Sequence, residues 1–353
     1  MSWQRIVGHD HWIEAFTRVA RRHRLAHAYL FVGPAGVGKR MFAEELAKAL
    51  LCEQNDSNAA DFILAACDRC DACLQVEART HPDFFLVARP EEKNEIPVES
   101  MRALCGSFGL KPARGKGKIA ILDDADDLNE ESANCFLKTL EEPPPRSIFF
   151  LIGTSVERQM ATVVSRCQVV RFAPLPGAVL QEVLRKQGVA DAAHVKRLVR
   201  LAGGSAGRAL ALADPALWQF RQTLLAGLTR AVPDTVGLGR AWTKFGEDAG
   251  KEGAAQRLRA HLTLQLLVHA LQDALTLSLG GNLPEIEADE AKVLNALAGR
   301  LGPEKIMQML ERCLEAEIPI DRYVQLPLVL EALVDAVGQI AAPAQGAPAG
   351  SMR

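Results

Sequence analysis

Tyr29-Leu30-Phe31-Val32-Gly33-Pro34-Ala35-Gly36-Val37-Gly38-Lys39-Arg40 is the stretch whose reading decides the fold. Four apolar residues read as a buried strand, and the helical pattern Met41–Leu51 follows the loop. In that setting G-x-x-x-x-G-K is a phosphate cradle: the glycines let backbone N–H groups close on an anion, the helix start adds positive potential, and Lys39 brings a mobile ammonium. Gly33, Gly36, Gly38 and Lys39 are therefore candidate nucleotide-binding residues.

Outward from this stretch, further short apolar runs predict strands at Phe84–Ala88, Ile119–Leu122, Ile148–Ile152 and Val169–Phe172. They do not alternate and are bounded by Gly, Pro or Asp, as expected of a parallel sheet buried on both faces. Helical spacing of Trp12, Ile13, Phe16, Val19 and Ala20, and of Ala133, Phe136, Leu137 and Leu140, places amphipathic helices between them. The second of these opens after Asn129 and stops at Pro143-Pro144-Pro145. The expected class is α/β for residues 1–174. Strand signals then cease. A small helical unit over 175–214 ends in Gly203-Gly204-Ser205-Ala206-Gly207-Arg208, and a second helical block covers 215–340 with stripes such as Ile306, Leu310, Cys313 and Leu314. Residues 341–353 are Pro, Ala and Gly without periodicity and read as a disordered tail. No internal repeat is visible.

Position 40 weakens the cradle as an enzyme. The motif wants Ser or Thr there, because that hydroxyl is a magnesium ligand, and Arg40 cannot coordinate a cation. Ile119-Ala120-Ile121-Leu122-Asp123-Asp124 repeats the problem. Asp123 is the metal-associated carboxylate at the strand end. Asp124 stands where a Glu would polarise water, and its carboxylate is shorter by roughly 1.5 Å of reach. Two lesions favour a nucleotide pocket that does not hydrolyse, and leave retention of ATP or ADP open.

Cys67-Asp68-Arg69-Cys70-Asp71-Ala72-Cys73 spaces three thiols two residues apart, and Cys52 ends the helix after the phosphate loop. Four thiolates suit a tetrahedral structural zinc ion. The competing readings are Cys52 as a buried helix-end thiol and an iron–sulfur cluster, for which no Cys-Pro signature is present. The remaining cysteines, Cys105, Cys135, Cys167 and Cys313, stand alone and read as core packing. Lys111-Pro112-Ala113-Arg114-Gly115-Lys116-Gly117-Lys118 reads as a solvated loop, with a DNA contact as the other reading.

Bulk numbers bound the partners. At 353 residues two or three domains are expected, and 48% hydrophobic residues supply a real core. A net charge of −2 shows no footprint of an autonomous DNA binder. The start Met1-Ser2-Trp3-Gln4-Arg5 lacks a basic stretch with an apolar core, and no apolar run approaches a membrane span, so a cytoplasmic protein is expected.

Taken together, Ile6-Val7-Gly8-His9, Leu25-Ala26-His27-Ala28-Tyr29-Leu30, the four cysteines, His81-Pro82-Asp83, Ile121-Leu122-Asp123-Asp124-Ala125-Asp126, Leu137-Lys138-Thr139-Leu140-Glu141-Glu142-Pro143-Pro144 and Ser165-Arg166-Cys167 resemble the delta-prime subunits of the bacterial DNA polymerase III clamp loader. The match covers about the first 210 residues. It implies an AAA+ P-loop module with a helical lid and an all-α collar domain that packs with sister subunits. The implied partners are the gamma or tau ATPase subunits and the delta subunit, with the sliding clamp and primed DNA reached through the complex. The resemblance also implies that Arg166 projects toward ATP held by a neighbouring subunit, and that Arg208 is the lid arginine facing nucleotide in its own chain. A catalytically active gamma- or tau-like subunit is the alternative. Such a subunit would keep the hydroxyl after Lys39 and an Asp-Glu pair.

Overall fold

The computed structural model of the chain describes residues 3–55, 62–90, 93–251, 253–283, 288–321 and 324–342. The chain forms two compact units, residues 1–210 and 211–353.

In the first unit the order is α1 (Asp10–Arg21), β1 (Ala28–Val32), α2 (Lys39–Leu51), α3 (Asp71–Glu77), β2 (Phe84–Val87), α4 (Val98–Phe108), β3 (Lys118–Leu122), α5 (Glu130–Glu141), β4 (Ser147–Gly153), α6 (Ala161–Val164), β5 (Gln168–Arg171), α7 (Gly177–Lys186), α8 (Ala192–Ala202) and α9 (Ala206–Leu212). A single-turn 3-10 helix, Ala125–Asp127, follows β3. All four strand pairings are parallel, in the order β2-β3-β4-β1-β5. The strand that feeds the phosphate loop is thus internal, with β4 and β5 at its sides. Its five residues are all buried. Tyr29 and Phe31 pack with Phe16, Phe42 and Leu46 on one face, whereas Ala28, Leu30 and Val32 meet Met101, Phe136 and Leu151 on the other. The lack of alternation in the sequence follows from this double cover.

The expected cap holds: Asn129 Oδ1 accepts from Ser132 N at 2.9 Å at the start of α5. Helix α2 opens two residues before the Met41 start that periodicity suggests, because Gly38, at φ 101°, turns the chain so that Lys39 begins the helix.

The second unit contains α10 (Pro215–Leu228), α11 (Thr235–Glu247), α12 (Gly253–Ser278), α13 (Ala288–Asp321) and α14 (Leu326–Ala341), with no strand among the described residues. Trp242, Leu264, Leu271, Leu297, Ile306, Cys313 and Leu330 lie at its centre. Helix α13 breaks at Gly302, where φ is 70°, and Pro303 opens its second half. Residues 343–353 of the expected tail lie outside the described residues. No helix among the described residues is long and apolar enough to cross a membrane.

Candidate nucleotide site and cysteine cluster

The loop between β1 and α2 is shaped by its glycines. A Cβ on Gly33 would overlap the carbonyl oxygen of Phe172, and one on Gly36 would overlap Ser205 Oγ and press on the Gly207 backbone. Gly36 holds φ at 74°, and its carbonyl accepts from Gly207 N at 2.9 Å. This contact latches the loop to the start of α9. Lys39 is buried and donates to the carbonyls of Gly33 at 2.6 Å and Pro34 at 2.8 Å. Burial pushes its pKa down, against the opposing pull of Asp126, Asp123 and Asp124. The loop borders a cavity of about 480 Å³ whose other walls include Ile6, Val7, Leu175, Val183 and Leu210. That is a small-molecule volume with an apolar side.

Arg40, the first departure from the usual motif, pairs with Asp123, the carboxylate that the motif keeps for the metal. Arg40 Nη1 lies 2.9 Å from Asp123 Oδ2, and Arg40 Nε donates to Glu44 Oε1 at 3.1 Å. Burial opposes the Arg40 charge, yet the Glu44 hydrogen bond and the Asp123 charge outweigh it and its pKa stays above the ordinary value. A magnesium ion does not fit these residues. No hydroxyl follows Lys39, and the carboxylate that would hold the ion is already paired. A dication about 4 Å from the guanidinium would meet repulsion of about 8 kcal/mol at an effective dielectric of ~20, reduced by the partial exposure of Arg40.

The acids beyond β3 divide their work. Asp124 sits at φ 55°, ψ 43°, on the cavity wall, and burial together with the Asp123 carboxylate raises its pKa. Asp126 is structural: it accepts from Thr154 N at 2.9 and 3.1 Å, from Thr154 Oγ1 and from Gln159 Nε2, tying the 3-10 turn to the end of β4. His9 Nε2 lies 2.8 Å from the carbonyl of Val37, and burial lowers the His9 pKa, so the neutral ring donates there. His9, Asp126, Thr154 and Gly207 all border the cavity. Their roles depend on partners 28 to 171 residues away, which no local pattern announces.

At the far end of α2, roughly 20 Å from Lys39 for 13 residues, the sulfurs of Cys52, Cys67, Cys70 and Cys73 all lie within 4.8 Å of one another. Cys52 Sγ is 3.9 Å from Cys70 Sγ, and Cys67 Sγ is 4.0 Å from Cys73 Sγ. A tetrahedron with metal–sulfur bonds of about 2.3 Å has edges of about 3.8 Å, so the four donors fit such a metal ion. Amides of Cys67, Cys70 and Cys73 point at the sulfurs of Cys52, Cys67 and Cys70, at 3.4, 3.3 and 3.5 Å. They favour thiolates. The Arg69 amide leads in drawing the Cys67 pKa down to about 6, whereas burial pushes Cys52 and Cys73 up. Lys48 braces the cluster, with Glu45 at 3.1 Å, Asp68 at 2.9 Å and Glu77 at 3.1 Å. The basic stretch 111–118 is engaged locally. Lys116 Nζ donates to the Cys52 carbonyl at the end of α2, Arg114 pairs with Glu53 at 2.6 Å, and Lys118 is buried.

Comparison with known proteins assigns the chain. The family model for the DNA polymerase III delta subunit matches residues 8–176. The DNA polymerase III subunit delta-prime of Pseudomonas aeruginosa is 33% identical over 64% of this chain and 67% of its own length. The Escherichia coli subunit delta-prime is 31% identical over 80% of each chain. This chain belongs to the delta-prime family of DNA polymerase III subunits. The tau subunit of Escherichia coli is also similar, at 32% identity, but over 60% of this chain and 32% of its own length. With the delta-prime family comes the clamp-loader subunit role, and the parallel sheet flanked by helices is the α/β class expected from the sequence.

In this delta-prime family member Arg166 follows α6 and does not line the cavity of its own chain. Its Nη1 donates to the Thr162 carbonyl at 2.8 Å and to Ser165 Oγ at 3.1 Å, and its Nη2 pairs with Glu141 Oε1. Its side chain keeps about a third of its surface exposed. Arg208 does not line the cavity either; its amide donates to Ser205 Oγ at 3.1 Å, next to the Gly36 latch.

Proposed function

We propose that this chain acts as the stator of a DNA polymerase III clamp loader: it turns over no ATP itself and gives Arg166 to the ATP site of a neighbouring gamma- or tau-type subunit. The Arg40–Asp123 ion pair carries the reading, because it occupies the charge position that a hydrolytic site reserves for a metal. Arg166 supports it from the other side. Its pairing with Glu141, at 32% and 50% side-chain exposure, is of the kind worth about 0.2–1 kcal/mol, so release toward a triphosphate is cheap. A guanidinium set against the transferring phosphoryl group neutralises charge that grows in the transition state, an effect of about 10³- to 10⁵-fold in analogous enzymes.

The remaining parts fit the same role. Residues 175–214 act as a lid and 215–340 as a collar. Along α13, Met307, Leu314 and Ile318 are exposed at helical spacing, an apolar stripe suited to sister subunits. Delta is the other partner, and the sliding clamp and primed DNA are met through the assembled, cytoplasmic complex. The four cysteines hold a structural zinc ion.

The test is DNA-stimulated ATPase of the reconstituted loader. Arg166→Ala lowers turnover while assembly and the melting temperature stay within a few degrees, and Glu141→Gln, which frees the guanidinium, keeps turnover. Equal ATPase with Arg166→Ala and wild type refutes the donor role. An active gamma- or tau-like subunit would instead show magnesium-dependent ATP hydrolysis by the isolated chain that Lys39→Ala abolishes.

A further inference from the structure

We propose that the groove at the end of the sheet opposite the phosphate loop docks an acidic peptide, an extended segment of a partner protein that carries carboxylates beside apolar side chains. The site is independent of the nucleotide pocket and of Arg166, so its failure leaves the stator reading untouched.

The ground for it is charge without a counter-charge. Two adjoining hollows, of about 720 and about 480 Å³, lie where β1, β3 and β4 begin, and both are bordered by Gly115, Pro144, Pro145, Arg146 and Ser147. His23, His27 and Lys116 line the first, Lys111 and Lys118 the second, and Arg146 lines both. Neither hollow has an Asp or Glu among its described lining residues, on a chain with 43 acidic residues and a net charge of −2. Neutral oxygens hold the cations instead. Lys116 Nζ donates to the carbonyls of Cys52 and Asn55, Lys118 Nζ to the Ser107 carbonyl, and Arg146 Nη1 to the Gly115 carbonyl at 2.8 Å. Such carbonyls fix where the heads point and leave their charge unneutralised. His27 adds a buried Nε2 with no hydrogen-bond partner among the described residues, a group whose burial costs free energy until it is paired.

Arg146 is built into the groove by its backbone. It sits at φ 61°, a left-handed conformation that a non-glycine residue keeps only where its surroundings enforce it. Gly117 is the enforcing neighbour. Its bare Cα faces the Arg146 carbonyl so closely that a Cβ would overlap the oxygen, and Lys118 N donates to that same oxygen at 3.1 Å. The result is an exposed guanidinium fixed where the two hollows meet.

The walls select the class of anion. Leu25, Ile148, Leu110 and Pro145 lie among the cations, and Leu110 keeps 71% of its surface exposed. A nucleic-acid strand asks for exposed rings on which its bases stack. No Trp or Tyr lines either hollow, and Phe62 and Phe108 are buried. Apolar walls interspersed with unneutralised cations match instead a peptide in which Leu or Phe alternates with Asp or Glu, because an extended chain sends successive side chains to opposite sides. Two hollows joined across Arg146 accept such a segment along its length.

Panning random peptides of about twelve residues, an extended length of about 40 Å, over the immobilised full chain tests this. The selected peptides should carry at least about twice the library's share of Asp and Glu, together with Leu, Ile or Phe. A fluorescent copy of one should bind Lys111→Glu/Arg146→Glu at least about tenfold more weakly than wild type in anisotropy titrations. Lys186→Glu, which reverses an exposed charge on α7, should bind within about twofold of wild type. If the double variant misfolds, Arg146→Gln decides, because it keeps a donor for Gly115 and removes the charge; its expected loss is about threefold. No enrichment of acids, equal binding by the Arg146 variants, or a loss with Lys186→Glu as large as theirs overturns the proposal. So does displacement of the peptide by a thymidine oligonucleotide of about twenty residues at lower concentration than by unlabelled peptide, which would give the groove to nucleic acid.

Discussion

Lys48→Met should destabilise the first unit by about 3–4 kcal/mol. The Lys48 side chain is 7% exposed and its nearest carboxylates belong to Glu45, Asp68 and Glu77. Methionine matches the length of the stem and keeps helix propensity, so the change removes charge with little loss of packing. Glu45 dominates the cost. At 8% exposure it would lose the ion pair with Lys48, and breaking a buried ion pair by removing one partner costs about 3–5 kcal/mol. Asp68 and Glu77 are 34% and 54% exposed, so solvent takes over most of what Lys48 did for them, adding well under 1 kcal/mol. Urea unfolding of the full chain, followed by circular dichroism with saturating zinc, reads the effect as a lower midpoint at constant slope. The double variant Glu45→Gln/Lys48→Met should recover at least half of the loss, because the buried charge that lost its ion pair is then gone. A single-variant loss below 1 kcal/mol, or a double variant no better than the single, would refute the reasoning.

Metal analysis of the purified chain should return one zinc per chain, and Cys70→Ser should abolish it and lower the melting temperature; folded wild type with well under one metal ion removes the thiolate-site reading. Stability should fall as pH drops below about 6.5, the ordinary imidazole value. Burial lowers the His9 pKa, so the folded state resists a proton that the unfolded chain accepts, and stability is complete above the unfolded value and lost as pH falls below it. His9→Gln should flatten the slope in thermal melts recorded across this range, and an unchanged slope would exclude His9 as its source. Trp242, fully buried at the centre of the second unit, should cost about 3–5 kcal/mol as Trp242→Ala, and a chemical-denaturation loss under 1 kcal/mol would contradict its placement there.

The sheet was legible because each strand is buried on both faces and therefore writes an unbroken apolar run. All five runs became strands within a residue or two of the expected ends. The Asn129 cap and the cysteine spacing were legible for the same reason: their chemistry is local. Partnerships across the chain were not. Position 40 could be read as a lost metal ligand, but the sequence does not say that Arg40 crosses 83 positions to pair with Asp123. Nothing near His9 announces the Val37 carbonyl, and nothing near Gly36 announces Gly207. The α13 stripe was misread at one position. Ile306 and Cys313 are buried as periodicity suggests, whereas Leu314 is exposed, because the buried face of the second half runs through Ile306, Met309, Cys313, Ala316 and Ile320, and Leu314 lies roughly 100° round the helix from Cys313.

The Gly36–Gly207 latch separates the history of this loop from the history of its chemistry. Methyl groups at positions 33 and 36 would collide with Phe172 and Ser205 whether or not ATP is ever cleaved, so the glycines answer to architecture. The hydroxyl after Lys39 and the longer acid after Asp123 answer to turnover alone. If the chain turns over no ATP, as proposed, the second pair is free to change while the first is not, and a half-kept signature is what such unequal constraint leaves behind.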